Sequence, residues 1–382
     1  MSREAVIVEA ARTPIGRGHP EKGYYKDVHP VALLAHVYTE LIARTGIDAA
    51  EVDKVICGCA QQVGEQMHDI GRMGWLHAGL PIETAATTVD TACGSAQQAV
   101  NYATALVNAG VHDVVIGCGV EHMGRVSFGV AREVQERFGS PRTPELLRHH
   151  PITNQGDGAE TLARRYEISR KEMDELAVRS HRLAAAATEA GSFEREIIPT
   201  EGHVTDQGIR PDTSLEALSK LKPAFQENGT VTAGNASQIS DGAAAVLVMN
   251  REKAEALGLT PRAKIVAQTT VGVDPVVMLE GPIPATTKLL QTTGMSIGDI
   301  DAFEVNEAFA PVVLAWAREH SPDMDRVNQR GGAMALGHPL GSSGARLITT
   351  LLHTLEDNDE ETGLVTMCCA GGLGTGSVLQ RI

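Results

Sequence analysis

The segment VDTACGSAQQA, residues 89–99, places a cysteine between a short apolar run and the first turn of a helix. A thiol where a strand turns into a helix is a poised nucleophile, because unpaired N–H groups and the positive helix end both favour the thiolate. The small neighbours of Cys93, Gly94 and Ser95, let backbone N–H groups face a developing oxyanion. A buried free cysteine is more often a small core hydrophobe, so Cys93 needs company before it signifies catalysis. The positions Ala96, Ala99, Val100, Ala103, Leu106 and Val107 form one helical face, and Gly110 punctuates its end.

Two further glycine-rich stretches supply that company: GGAMALGHPLGSSG (331–344) and MCCAGGLGTG (367–376). His338 sits between glycine and proline in a predicted turn, and Pro339 biases it toward an extended backbone. Cys368 ends an apolar strand, and a thiol of pKa near ~8.5 can both give and take a proton. Cys369 points to the opposite face by strand alternation and reads as structural. In NEAFA (306–310), Asn306 follows a strand and opens a helix. It suits an N-cap, or an amide that holds a water as an oxyanion donor.

The order of elements repeats. GDID (298–301) before AFEV (302–305) matches AEVD (50–53) before KVIC (54–57), and LVTMC (364–368) matches VVIGC (114–118). The pattern predicts an α/β fold duplicated from one half-domain. The first half covers 1–118 plus about 241–260, and the second 261–382. Residues 119–240 are richer in charge and form an inserted loop domain, with a capping box SRKE (169–172) opening a long helix.

With 382 residues, the chain is long enough for two or three compact units. Its formal charge of −15 argues against nucleic acid and against an anionic membrane surface as partners. Neither a leader peptide nor a bilayer-spanning run is expected from the sequence. The six cysteines are spaced for neither a disulfide framework nor a zinc site, which points to a reducing cytosol and no metal.

Taken together, TACGS around Cys93, NEAF at 306–309, GHP at 337–339 and the C-terminal Cys-x-x-Gly-Gly run resemble the thiolase family, in the family's order. ARTPIG (11–16), SDGAAA (240–245) and GPIPA (281–285) extend the resemblance over essentially the whole chain. The resemblance implies a five-layer αβαβα core and CoA-dependent cleavage of a 3-oxoacyl-CoA to acetyl-CoA (or propionyl-CoA) and a shortened acyl-CoA, or the reverse condensation. It implies Cys93 as the acyl-carrying nucleophile and His338 as its activator. Asn306 would be the water-holding amide, Cys368 the acid/base at the enolate carbon, and the N–H groups of Cys93 and Ala370 an oxyanion hole. It also implies Ser237 and Phe309 against pantetheine and Arg210 near the nucleotide of CoA, with CoA as substrate and no resident cofactor. A homodimer or homotetramer is implied as well.

Two departures stand out. The family's Cys-x-Gly-Gly-Gly reads CCAGG here, narrowing the backbone at Ala370, and its Met-Gly reads Gln155-Gly156, changing the acyl end of the pocket. SQISDG (237–242) and NEAFAPVV (306–313) resemble degradative actinobacterial thiolases that act on bulky or steroid-derived acyl groups. A ketoacyl synthase would use two histidines where this chain has Asn306 and Cys368. A non-catalytic lipid-binding relative would be expected to have lost one of the four residues.

Overall fold

The computed structural model describes residues 3–382. Among them are ten strands: β1 (Ala5–Arg12), β2 (Gly16–Arg17), β3 (Lys54–Gly58), β4 (Ala85–Val89), β5 (Val114–His122), β6 (Ser240–Asn250), β7 (Ala263–Gly272), β8 (Ala302–Val305), β9 (Thr362–Cys369) and β10 (Leu373–Arg381). They hydrogen-bond in the order β4-β3-β5-β6-β1-β7-β10-β9-β8, with β2 on β6. A single antiparallel pair, Ile7↔Ala263, joins the two halves of this sheet.

Four strands of the first half, β1, β3, β5 and β6, recur in the second as β7, β8, β9 and β10. In the first, β3 runs parallel to β4 and β5, while β6 is antiparallel to β5 and β1. In the second, β8 is parallel to β9 and to a bridge at Val327, while β10 is antiparallel to β9 and β7. The duplication extends to side chains. Asp53 Oδ2 accepts from the N–H groups of Asp113 and Val114 (2.8 and 2.9 Å), and Asp301 Oδ2 accepts from Glu361 and Thr362 (3.1 and 2.9 Å). Gly46 and Gly294, at φ 67° and 72°, end the corresponding helices Pro30–Thr45 and Pro282–Thr293.

Strand alternation sorts the apolar side chains of the sheet into three of the four packed groups among the described residues, and these three define five layers. One outer group packs helices Pro30–Thr45 and Ile70–His77 on Val55, Val114, Ile116 and Cys118. A central group packs helices Ser95–Asn108 and Ser343–Asp357 between Val115, Val246 and Val248 on one side and Val365, Met367 and Leu379 on the other. The second outer group joins helices Pro282–Thr293 and Ala310–His320 to the opposite face of β8–β10. This is the αβαβα layering that the sequence resemblance implied.

Between β5 and β6 the chain leaves the repeat. Helices Gln155–Arg165 and Arg170–Glu189 pack onto the second half, and Ser169 and Glu172 form the expected capping box. A buried ion-pair group ties the segment to β1. Arg12 Nε donates to Glu196 (2.6 Å), and its two terminal nitrogens grip Asp206 (2.7 and 2.9 Å).

The two central helices approach so closely at their first turns that a Cβ on Gly344 would lie 2.2 Å from the backbone nitrogen of Gln97. Neither helix can yield, since both are enclosed by sheets. Gly344→Ala should therefore destabilise the fold by about 3 kcal/mol, the upper end for overpacking, read as a lower urea midpoint at unchanged slope.

Candidate active site

Cys93 occupies a turn held by its own polar neighbours. Ser95 Oγ accepts from Thr91 N (2.9 Å) and donates to Ala92 O (2.6 Å), and Asp90 Oδ1 accepts from Ala92 N (2.7 Å). These bonds hold Ala92 at φ 49°, a left-handed conformation that costs a non-glycine residue about 1 kcal/mol. The turn delivers Cys93 to the head of helix Ser95–Asn108.

The expected thiolate is not the resting form. Burial pushes the Cys93 thiol up to about 12, offset in part by the N–H of Ala370 facing its sulfur. Desolvation outweighs the helix end because the thiol is only 3% exposed. A base must therefore accept its proton during attack.

His338 is suited to that. Its imidazole is held well below the ordinary range, at about 3, by burial and then by the Arg346 guanidinium, so it is neutral at physiological pH. Ser343 Oγ donates to Pro339 O (2.8 Å) and lies 2.6 Å from His338 Nδ1. With that hydroxyl proton committed, Nδ1 carries hydrogen and donates to Ser343, which leaves Nε2 as the lone-pair nitrogen. Nε2 faces the Asn306 amide nitrogen at 3.4 Å. Asn306 does not open the helix as the sequence implied: that helix begins at Ala310, with Phe309 as its N-cap. The Asn306 amide is instead buried, and its Oδ1 has no hydrogen-bond partner among the described residues.

Cys368 lies on β9 opposite Gly374. Burial raises its thiol well above the usual range, and Cys93 and then Cys369 raise it further, so the three sulfurs are electrostatic neighbours. Cys368 joins the outer apolar group and Cys369 the central one, so the two project to opposite faces. The following hairpin places its left-handed residues at Gly371 and Gly372 (φ 83° and 78°) and not at Ala370. Alanine at 370 is therefore accommodated without strain, and its N–H stays directed at Cys93.

Cys93 and His338 open onto one cavity of about 500 Å³, lined also by Gln155, Phe225, Ser237 and Phe309. Phe225 and Phe309 meet edge to face, ring centres 5.9 Å apart. Asn306 and Cys368 are buried and are not among its lining residues, and Arg210 is exposed and outside it.

Three supporting side chains escaped the sequence reading. Ser343 fixes the imidazole. Glu121 is fully buried and accepts from the N–H groups of Ala60 (2.9 Å), Gln61 (3.2 Å) and Gly341 (2.9 Å) and from Gln66 Nε2 (2.6 Å), clamping the His338 loop to the loop after β3. Glu307 accepts from Ser180 Oγ (2.6 Å), Asn328 Nδ2 (3.0 Å) and Met334 N (3.2 Å). The available signal was an acidic residue closing an apolar run, as in VVIGCGVE and AFEVNE.

A duplicated α/β core with a buried cysteine and a neutral histidine on one cavity has the features of an acyl-transferring enzyme. The thiolase N-terminal domain family matches residues 5–252 and the thiolase C-terminal domain family residues 259–381. The chain belongs to the thiolase family, acyltransferases that use coenzyme A as a substrate. It is 43% identical over 389 residues to a steroid 3-ketoacyl-CoA thiolase of Mycobacterium tuberculosis, covering 99% of this chain and 94% of that one. A 3-ketoacyl-CoA thiolase of Saccharophagus degradans is 44% identical over 398 residues, covering 100% and 99%. The crystal structure of the acetyl-CoA acetyltransferase of Bacillus anthracis superposes with a TM-score of 0.89 at 37% identity, covering 100% of this chain and 99% of that one.

Two outcomes follow from the protonation states. Alkylation of Cys93 by iodoacetamide in the free protein should rise about tenfold per pH unit from pH 7 to 9. A plateau below pH 8 would instead reveal a stabilised thiolate. Ser343→Ala should lower turnover about tenfold by freeing the imidazole, and Ser343→Thr should restore most of it.

Proposed function

We propose that this thiolase cleaves 3-oxoacyl-CoA through an acyl-Cys93 intermediate. The observation that carries the reading is that Cys93 and His338 open onto one cavity, with the imidazole held through Nδ1 by Ser343 so that Nε2 is left to accept the thiol proton. The Cys93 sulfur attacks the 3-oxo carbon while its proton passes to His338 Nε2. The carbon–carbon bond then breaks, and its electron pair leaves as the enolate of acetyl-CoA. Cys368 gives that enolate carbon a proton. Incoming CoA returns a proton to Cys368 as its sulfur takes the acyl group, and His338 hands back the proton of Cys93.

The Cys93 and Ala370 N–H groups serve the oxyanion on the acyl carbon. His338, with a water held by Asn306, serves the thioester oxygen, a role supported by the unpartnered buried Oδ1 of Asn306. Ser237 and Phe309 fit the pantetheine arm, since both line the cavity and their segments are joined by the Ala236↔Phe309 bridge and the Ser237 N–H bond to Ala308 O (2.9 Å). Arg210 is assigned to the nucleotide end, where its exposure suits a solvent-facing phosphate.

The segment 119–240 acts as the CoA-binding lid, supported by Gln155, Phe225 and Ser237 in the lining. Degradation of bulky 3-oxoacyl groups is the favoured direction, in line with the steroid 3-ketoacyl-CoA thiolase among the relatives. The protein works as a homodimer or homotetramer. Strand β4 supports this, since it is a half-exposed sheet edge of the kind that pairs with a second copy. Six unpaired cysteines, all buried, suit a reducing cytosol. Among the described residues, no helix is long and apolar enough to cross a membrane.

The two thiols separate experimentally. Cys368→Ala should cut carbon–carbon cleavage, and exchange of the acetyl α-hydrogens with deuterated water, by at least ~10²-fold. Transfer of an acetyl group from acetyl-CoA to Cys93, followed by mass spectrometry, should survive because it needs no carbanion. Cys93→Ala should lose both. Wild-type exchange in Cys368→Ala would move the proton role to another residue.

A further inference from the structure

We propose that Gln155 selects the acyl group, favouring 3-oxoacyl-CoA esters whose acyl arm carries a hydrogen-bonding oxygen a few bonds from the carbon that Cys93 attacks. The inference deepens the acyl-Cys93 reading and rests on it.

Gln155 is the first residue of helix Gln155–Arg165, and the turn before it is fixed by Asn154, whose Oδ1 accepts from Asp157 N (2.9 Å). On the next residue, Phe225 lies so close that a Cβ on Gly156 would meet its ring at 2.0 Å. The amide is thus carried on a rigid element. Its Nε2–H points at Cys93 Sγ, 3.9 Å away. The first atoms of an acyl group bonded to that sulfur must pass beside it.

The rest of the lining explains why this amide matters. Met123, Phe128, Ile239 and Leu340 are apolar. The other polar groups are largely committed. Asn154 is engaged with Asp157, and His338 with Ser343 and Asn306. Gln238 Nε2 donates to the carbonyls of Gly208, Met334 and Ala335. Ser237 is placed against pantetheine in the reading above. The Gln155 side chain has no hydrogen-bond partner among the described residues apart from the long contact to sulfur. A purely alkyl arm would cover this amide and strip it of water without replacing its hydrogen bonds. An oxygen at that depth would receive the N–H and remove the penalty. A site built to bond a polar atom discriminates against the analogue that lacks it far more strongly than an apolar pocket discriminates by size.

The test compares three esters of equal chain length: 3-oxoheptanoyl-CoA, 3,6-dioxoheptanoyl-CoA, and the analogue with an ether oxygen in place of carbon 6. The readout is the ratio of kcat/KM for each oxygenated ester to that of the alkyl ester within one protein preparation. It does not depend on the fraction of folded enzyme. For the wild type, at least one ratio should be about 10, and Gln155→Met should lower it about tenfold. Gln155→Leu should do the same, so the result does not depend on one variant. A drop smaller than about threefold for both oxygenated esters, in both variants, overturns the proposal. Failure of the underlying reading has a separate signature: no acyl adduct on Cys93 with any of the three esters, which overturns both.

Discussion

The contact between Gly344 and the backbone of Gln97 sets the geometry on which the rest depends. It brings together the first turns of the two central helices, the one headed by Cys93 and the one that follows the His338 loop. The first central helix is then locked to the second sheet by side chains. Gln97 Nε2 donates to Val365 O (3.1 Å) and Ser377 Oγ (3.0 Å), Thr375 Oγ donates to Gln97 Oε1 (2.6 Å), and Ser377 Oγ to Asn101 Oδ1 (2.7 Å). These bonds satisfy polar groups that would otherwise be stranded in the central layer. A larger residue at 344 would part the helices, and the cysteine and histidine with them.

Two positive helix ends meeting in one place also bear on protonation. They disfavour an imidazolium there, in the same direction as the burial and the Arg346 charge that depress His338. Arg346 is itself held by Glu304 at 3.0 Å, and burial pushes that carboxyl up to about 8 despite the guanidinium. The guanidinium of Arg346 is thus set back from reacting groups that are themselves neutral. That arrangement suits a reaction whose developing charge belongs on the substrate oxygen.

How much of this could be read from residues alone differs by layer of the argument. The duplication was legible because β3 and β8, and β5 and β9, preserve the same short apolar patterns, and turns such as those at Asp53 and Asp301 repeat. The cavity residues Cys93 and His338 were legible because glycine and proline punctuate their turns. The resting charge of Cys93 was not. A local pattern shows the helix end that favours thiolate but not the enclosure that opposes it, which is set by residues as distant as Leu340. Asn306 was misplaced for a related reason: NEAFA has the form of a cap, but Phe309 takes that position and the amide turns inward. Glu121 and Glu307 were hidden because their partners are backbone N–H groups and side chains far away in sequence.

The lone Ile7↔Ala263 rung between the half-sheets has an architectural consequence. The two halves are held together by interleaved helices and buried side chains, with hardly any shared ladder. The covalent join between β6 and β7 passes over the surface, with Leu257 and Gly258 exposed. The one chain crossing between the halves lies at the surface, and their union rests on the side chains packed in the central layer.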